Sequence, residues 1–146
     1  MRGALALTCA ALGCAAPPTE LAVVVDSELT PEDADAIVID LRSPSGATGS
    51  LTVPPGAGPH TLALVPAGEA LSPVGVAVRA LRDDRVVLTA EVVTAFLEHE
   101  RRAVPLSLDR DCLEVSCGSP DAVCARGRCV DRRVPARALP PVPDDL

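Results

Sequence analysis

The sequence predicts an all-β protein: an immunoglobulin-like β-sandwich of about seven strands with a small disulfide-rich appendix at its C-terminal end. Short segments in which aliphatic and β-branched residues alternate with polar ones recur along the chain at roughly 10-residue spacing. Turns rich in proline and glycine separate these segments. Alternation with period two, interrupted by such turns, is typical of two packed antiparallel sheets.

The first two strands follow from hydrophobic patterning. A β-branched run at 20–29 predicts a buried strand. In the second strand Ile37, Ile39 and Leu41 alternate with other residues and therefore share one face. Between the two strands, residues 30–33 carry helix-start chemistry and predict one helical turn or a loop.

The next three strands are shorter and lie between loops. Alternating apolar residues predict strands around 51–53 and 62–64. Val74, Val76 and Val78 then lie on one face of a fifth strand.

The last two strands flank an ambiguous stretch. Residues 88–102 contain good helix formers as well as β-branched valines, so both helix and strand are compatible with them. We expect a hairpin turn at 82–85, a strand over 86–96 and a charged turn over 97–102. The final strand contains Val104, Leu106 and Leu108, and Phe96 is predicted to be the largest core side chain.

The N-terminus has the anatomy of a secretory signal. One arginine precedes a short apolar run, which is shorter than the ~18 to 20 residues that span a bilayer. Residues 11–14 resemble a bacterial lipobox, whose cysteine carries acyl chains such as palmitate and becomes the new N-terminus. The resemblance implies a signal peptide over 1–13, lipidation of Cys14 and a tether over 14–19. Because alanine follows Cys14 where inner-membrane retention typically uses aspartate, the resemblance favours the outer membrane.

Other interpretations of the N-terminus stay open. Cys9 is an alternative lipidation residue, and ordinary cleavage near Ala16 would leave no anchor. A buried N-terminal helix with two incidental cysteines is the remaining interpretation.

Composition narrows the classes of partner. The formal net charge is −7, and the chain has no lysine, asparagine, glutamine, tyrosine or tryptophan. An acidic chain repels phosphate backbones, so we predict that the protein does not bind nucleic acid. The lack of tyrosine and tryptophan also removes the usual stacking platforms for bases.

Four cysteines are concentrated in a segment of low apolar content, at 109–131. Cys112, Cys117, Cys124 and Cys129 have the spacing C-x4-C-x6-C-x4-C. An exported segment with so little core is typically held by disulfides, and four cysteines allow three connectivities. A structural zinc site is the alternative, although four residues between partners is a loose spacing for zinc.

The chain resembles a group of uncharacterised myxobacterial lipoproteins. The matching pieces are residues 19–26 in the first strand, 74–80 in the V-x-V strand, 94–96, and 112–130 in the cysteine cluster. The resemblance implies a lipid-anchored β-sandwich with a C-terminal cysteine cluster and no known activity. By analogy with the crossed pattern of EGF-like modules, the disulfide pairs would be Cys112–Cys124 and Cys117–Cys129.

Recognisable catalytic chemistry is absent from the sequence. His60 follows a proline in a turn and His99 lies in a charged loop, and neither forms a motif with a nucleophile or a metal ligand. We therefore predict no catalytic residue, no metal ligand and no cofactor. Five carboxylates could bind calcium but are more simply a solvated face, and they are Asp26, Glu28, Glu32, Asp33 and Asp35.

Together these features predict a non-enzymatic bacterial envelope lipoprotein that acts as a scaffold or binding module. The sandwich would occupy 20–108 and bind an unknown envelope protein through loops 43–49, 54–59 and 66–73. The alternative is an exported small-ligand or calcium-dependent binding module. The proline-rich tail, 132–146, is expected to be extended, either mobile or lying along the sandwich, with Leu139 and Val142 able to dock it.

Overall fold

The computed structural model describes residues 16–43, 48–66 and 73–143, and within them the protein is all-β, as the sequence predicts. The predicted lipidation residue, Cys14, lies outside the described residues. No helix in those three ranges is both long and apolar enough to cross a bilayer. The strands are β1 (Glu20–Ser27), β2 (Ala36–Arg42), β3 (Thr48–Val53), β4 (His60–Leu64), β5 (Val74–Arg82), β6 (Arg85–Thr94), β7 (Arg101–Leu108), β8 (Ala122–Ala125) and β9 (Arg128–Asp131).

Two sheets form the sandwich. One has the strand order β4-β1-β7 and the other β3-β2-β5-β6, while β8 and β9 form a separate hairpin. The pairings are antiparallel except for β1 with β7, which is parallel. A constant-type immunoglobulin domain has strands A, B, E and D in one sheet and C, F and G in the other. The predicted all-β sandwich class is confirmed, and the strand order within it differs from that immunoglobulin order.

The core lies between the inner faces of the two sheets and is almost entirely aliphatic. Phe96 belongs to this core with 8% of its surface exposed. In β2 the predicted alternation is observed, although Leu41, near the end of the strand, is only partly buried. The largest fully buried aliphatic side chains come from both sheets and from the β1–β2 loop, and they are Leu21, Val23, Val25, Leu29, Ile37, Ile39, Val76, Val78, Val104 and Leu108.

The stretch from 88 to 102 is strand, but its bounds differ from the prediction. β6 ends at Thr94 rather than at residue 96, because Thr94 pairs with Val74, the first residue of β5, and no described residue continues the pairing beyond it. The charged turn is correspondingly shifted by two residues, to 95–100 instead of the predicted 97–102. Arg101 already pairs with Glu20 as the first residue of β7.

The predicted hairpin turn between β5 and β6 is confirmed. Asp83 and Asp84 both have positive φ, 48° and 61°, as a two-residue turn matched to the twist of its strands requires. The Asp35 carboxylate accepts a hydrogen bond from the Asp83 N–H at 2.7 Å, which fastens the turn to the start of β2.

Candidate functional site

The four C-terminal cysteines form two disulfides. Cys112 is bonded to Cys124 and Cys117 to Cys129, the pairing that the EGF analogy implies. Because each sulfur is covalently bonded to another, none is available as a thiolate ligand for zinc. The first disulfide is buried and belongs to the sandwich core, so the cysteine segment is packed on the sandwich rather than suspended from it.

Polar contacts with β6 also fasten the cysteine segment. The Glu114 N–H donates to the Val87 carbonyl at 2.8 Å. The Arg132 guanidinium reaches Glu91 at 3.0 Å and Asp121 at 3.3 Å, and these carboxylates, Glu91 foremost, raise its pKa. Arg132 therefore stays charged and bridges the cysteine segment to the sandwich.

The sandwich has two sides, and along each side an edge strand of one sheet lies beside an edge strand of the other. We call the side at β6 and β7 the closed seam, and the side at β3 and β4 the open seam. The two differ in what happens to the backbone N–H and C=O groups at the sheet edge, which on a bare edge are free to pair with another chain.

The C-terminal tail covers the closed seam. Against β6, the Val93 N–H donates to the Arg132 carbonyl at 2.8 Å and the Val93 carbonyl accepts from the Val134 N–H at 2.9 Å. Against β7, the Ala103 N–H donates to the Pro140 carbonyl at 2.8 Å. Leu139 between these contacts is 4% exposed, so the predicted docking of the tail along the sandwich is confirmed for this residue.

β7 carries a second protection. The hydrogen-bonding direction alternates along a strand, so residues 101, 103, 105 and 107 present their backbone groups to the same edge. Pro105 occupies one of these positions and has no N–H to offer. Where the tail does not cover β7, its edge therefore has one fewer backbone N–H with which another strand could pair.

In the part of the chain that the structure describes, neither kind of protection is found at the open seam. β3 has the sequence TGSLTV and β4 has HTLAL, with no proline, aspartate, glutamate, lysine or arginine in either. Within the described residues, no segment pairs with the outer edge of β3 or of β4. Leu51 is 43% exposed although its strand partner Ile39 is buried.

Of the three loops predicted to bind a partner, the structure describes one completely. Residues 54–59 connect β3 to β4 and so lie at one end of the open seam. Positions 44–47 and 67–72 lie outside the described residues. Sequence reasoning named these loops but missed the strands between them. The signal that could have identified the strands is their lack of charge and proline, next to Pro105 in β7.

The histidines and the acidic cluster do not assemble into a site. His60 begins β4 and His99 lies in the β6–β7 turn, where its N–H donates to Thr19 Oγ1 at 2.9 Å. In the part of the chain that the structure describes, no three His, Cys, Asp or Glu side chains converge as a metal site. Asp33 instead accepts a hydrogen bond from the nearby Thr30 N–H, and Asp35 accepts one from the Asp83 N–H in the β5–β6 turn.

Asp33 gives a pH-dependent prediction. Hydrogen bonds from the Thr30 N–H and hydroxyl, both 2.9 Å, and then from Arg110 lower the pKa of Asp33 below its ordinary 3.8. Because the pKa is lower in the folded state than in the unfolded state, the ionised carboxylate stabilises the fold above pH 3.8. This stabilisation is lost as the pH falls from 3.8 through the pKa that Asp33 has in the folded protein. In an NMR titration we expect a midpoint below 3.8 that rises in Thr30→Ala; a wild-type midpoint at 3.8 would contradict the assignment.

A separate cleft of about 550 Å³ lies beside the closed seam, against the β8–β9 hairpin. Its lining is mainly aliphatic and includes Val24 and Val130. Four carboxylates line it: Glu91 is paired with Arg132, whereas Asp26, Asp109 and Asp131 form no ion pair within the described residues. Arg126 is the one cationic side chain in the lining.

Within the described residues, the fold is a two-sheet β-sandwich with a disulfide-bonded C-terminal segment, covered by its tail along one seam and uncovered along the other. Comparison of the chain with protein-family models, with curated proteins and with solved structures finds no match.

Proposed function

We propose that the chain is a non-enzymatic bacterial envelope lipoprotein that acts as a scaffold or binding module, and that the open seam is its protein-binding surface. The observation that supports the proposal is the contrast between the two seams. The tail and a proline protect one seam, whereas at the other no described residue pairs with the two uncharged strand edges. The free N–H and C=O groups of an unprotected strand edge can form hydrogen bonds with another chain, so such an edge can serve as a surface for a protein partner.

The compartment and the anchor are part of the same proposal. Two disulfides fit a protein that meets an oxidising environment, as an exported protein does. The lipid on Cys14 would hold the tether to the membrane, which we place at the outer membrane. The partner would be another envelope protein, because the net charge of −7 disfavours nucleic acid.

Loss of the anchor is the first test. Changing Cys14→Ser should move the protein from the membrane fraction to the soluble fraction, because no acyl chain can then be attached. Fractionation with immunoblotting measures the partition, and mass spectrometry of the wild-type N-terminus should show an acylated cysteine. Cys9→Ser is the matched control and should stay membrane-bound. Unchanged partition of Cys14→Ser would refute the anchor.

The binding surface is tested by capture from the native envelope. Leu51 and Val130 are equally exposed, at 43%, but Leu51 lies at the open seam and Val130 lines the cleft at the hairpin. We expect the envelope partner of the wild-type protein to be lost with Leu51→Glu and kept with Val130→Glu. The opposite pattern would move the binding surface to the cleft.

A small-ligand binding module is the second candidate, and the 550 Å³ cleft favours it. Aliphatic walls with three carboxylates that form no ion pair within the described residues, against the one cation of Arg126, fit a compact ligand with an apolar body and a positively charged group. A rise in melting temperature with phenethylamine, and none with phenylacetate, would distinguish this candidate, because only a ligand that binds the folded state stabilises it.

A further inference from the structure

We infer that the partner adds a strand to β3: an extended peptide segment with alternating apolar side chains and a carboxylate beside Arg42. This inference rests on the proposed function, since it names the mode in which the open seam binds. In strand addition, main-chain hydrogen bonds supply affinity and alternate side-chain pockets supply specificity. Each of these elements can be located on β3.

The free backbone groups of β3 follow from the bonds of β6. Val93 gives both its N–H and its C=O to the tail, so its neighbours in β6 bond to β5. Carrying this alternation through the registers of β5 and β2 leaves Thr48, Ser50 and Thr52 with their N–H and C=O at the outer edge of β3. Three residues at alternate positions thus present three donors and three acceptors, a ladder ready for one strand.

The apolar part of the site is on the inner face of the seam. Leu51 is 43% exposed, and Leu41, Leu62 and Leu64 are only partly buried against the core. All four lie at or next to the edges of the two sheets that face each other across the open seam. An apolar side chain on an added strand would cover Leu51 and remove this surface from water.

The carboxylate is specified by charge. Arg79 is neutralised by its ion pair with Asp40, whereas Arg42 is exposed and forms no ion pair within the described residues. Arg42 lines a shallow cleft with the residues at the start of β3, including Thr48 and Ser50. One unpaired guanidinium beside two hydroxyls, on a chain of net charge −7, favours an acidic group on the partner there.

A second copy of this chain fits the edge less well. Each copy carries the same −7 charge, and pairing of β3 with itself would offer six residues a side. Stable interfaces bury about 800 Å² per partner, from roughly 20 to 30 residues a side. Self-pairing is therefore an outcome that the test must detect rather than the occupant to which we commit.

The test uses the full chain in detergent micelles and two synthetic peptides, EVTVTV and QVTVTV, as probes; both are acetylated at the N-terminus and amidated at the C-terminus, so that the glutamate is the only carboxylate. We expect EVTVTV at millimolar concentration to shift amide NMR signals of β3 and its neighbours, and to bind more tightly than QVTVTV. Arg42→Ala should abolish the difference between the two peptides. Equal binding of the two peptides to the wild-type chain would overturn the predicted carboxylate contact, and shifts confined to the hairpin cleft would overturn the site.

The decisive variant is Ser50→Pro, with Ser50→Ala as its control. Proline removes an outward N–H and blocks the edge without breaking a bond to β2, as Pro105 does in β7. We expect binding of EVTVTV to weaken at least about tenfold in Ser50→Pro and to be retained in Ser50→Ala. Undiminished binding by folded Ser50→Pro would overturn strand addition.

Two further outcomes keep the inferences separate. If Ser50→Pro does not fold, N-methylation of alternate peptide amides gives the same information, since only one of the two alternating sets should abolish binding. If the envelope partner requires Leu51 but binds Ser50→Pro normally, the proposed function stands and strand addition fails. If sedimentation shows that the wild-type chain is a dimer and that Ser50→Pro is a monomer, β3 pairs with a second copy of the chain, and the inference of a different protein as partner is wrong.

Discussion

Removing the buried Cys112–Cys124 disulfide is expected to destabilise the protein more than removing the less buried Cys117–Cys129 disulfide. The double replacement of Cys112 and Cys124 by alanine should lower the free energy of unfolding by about 2 to 5 kcal/mol. Both disulfides join residues 12 apart, so the loop-entropy contribution, about 3 kcal/mol, is nearly equal for the two. Burial makes the difference, because Cys112 and Cys124 are 2% and 6% exposed in the core while Cys129 is exposed.

Denaturant unfolding of the two double variants measures this difference directly. Replacement of Cys117 and Cys129 serves as the matched control, with the same loop length and the same change of residue type. Equal losses in the two variants would mean that the buried bond acts only on the unfolded chain. A larger loss from Cys117 and Cys129 would contradict the packing of the cysteine segment against the sandwich.

The strands were predictable because their information is local. Val104, Leu106 and Leu108 alternate in the sequence and all face the core in β7. The end of β6 was not predictable in the same way. Nothing in the residues after Thr94 forbids a strand; it ends there because β5 begins at Val74 and offers no further partner.

Which strands form the two seams could not be predicted from the sequence, for a related reason. Whether a strand lies at an edge depends on which other strands pair with it, and those pairings join residues far apart in the chain. β1, for example, pairs with β7 across about half the sequence. Pro105 indicates an edge strand, because proline cannot donate to a neighbouring strand on both sides. For β3 and β4 the only indication in the sequence is that they contain no proline and no acidic or basic residue other than His60.

The cysteine pairing shows the same division between local and long-range information. Composition and compartment predicted the disulfides, but spacing left three connectivities open. In the hairpin, Cys124 lies directly opposite Cys129, yet neither is bonded to the other. Each reaches back to an earlier cysteine, which ties the hairpin to the segment that follows β7. This arrangement needs tertiary contacts, because opposite neighbours in a ladder would otherwise be the nearest choice.

The second large effect is expected at Phe96, the single aromatic residue of the chain. Its side chain is 8% exposed and belongs to the shared core, just beyond the end of β6. Changing Phe96→Ala should cost about 3 to 5 kcal/mol, the sum of the lost apolar burial and the cavity left behind. Since small domains are typically stable by about 5 to 15 kcal/mol, the variant should melt at a markedly lower temperature or fail to fold.

Phe96→Leu is the matched variant for this experiment, because leucine keeps an apolar side chain and leaves a smaller cavity. Its cost should be clearly below that of alanine, and thermal unfolding followed by circular dichroism ranks the three proteins. Wild-type melting of Phe96→Ala would contradict its place in the core. The chain has no second phenylalanine and no tyrosine or tryptophan, so no other large aromatic side chain is available to fill the space that Phe96 would leave.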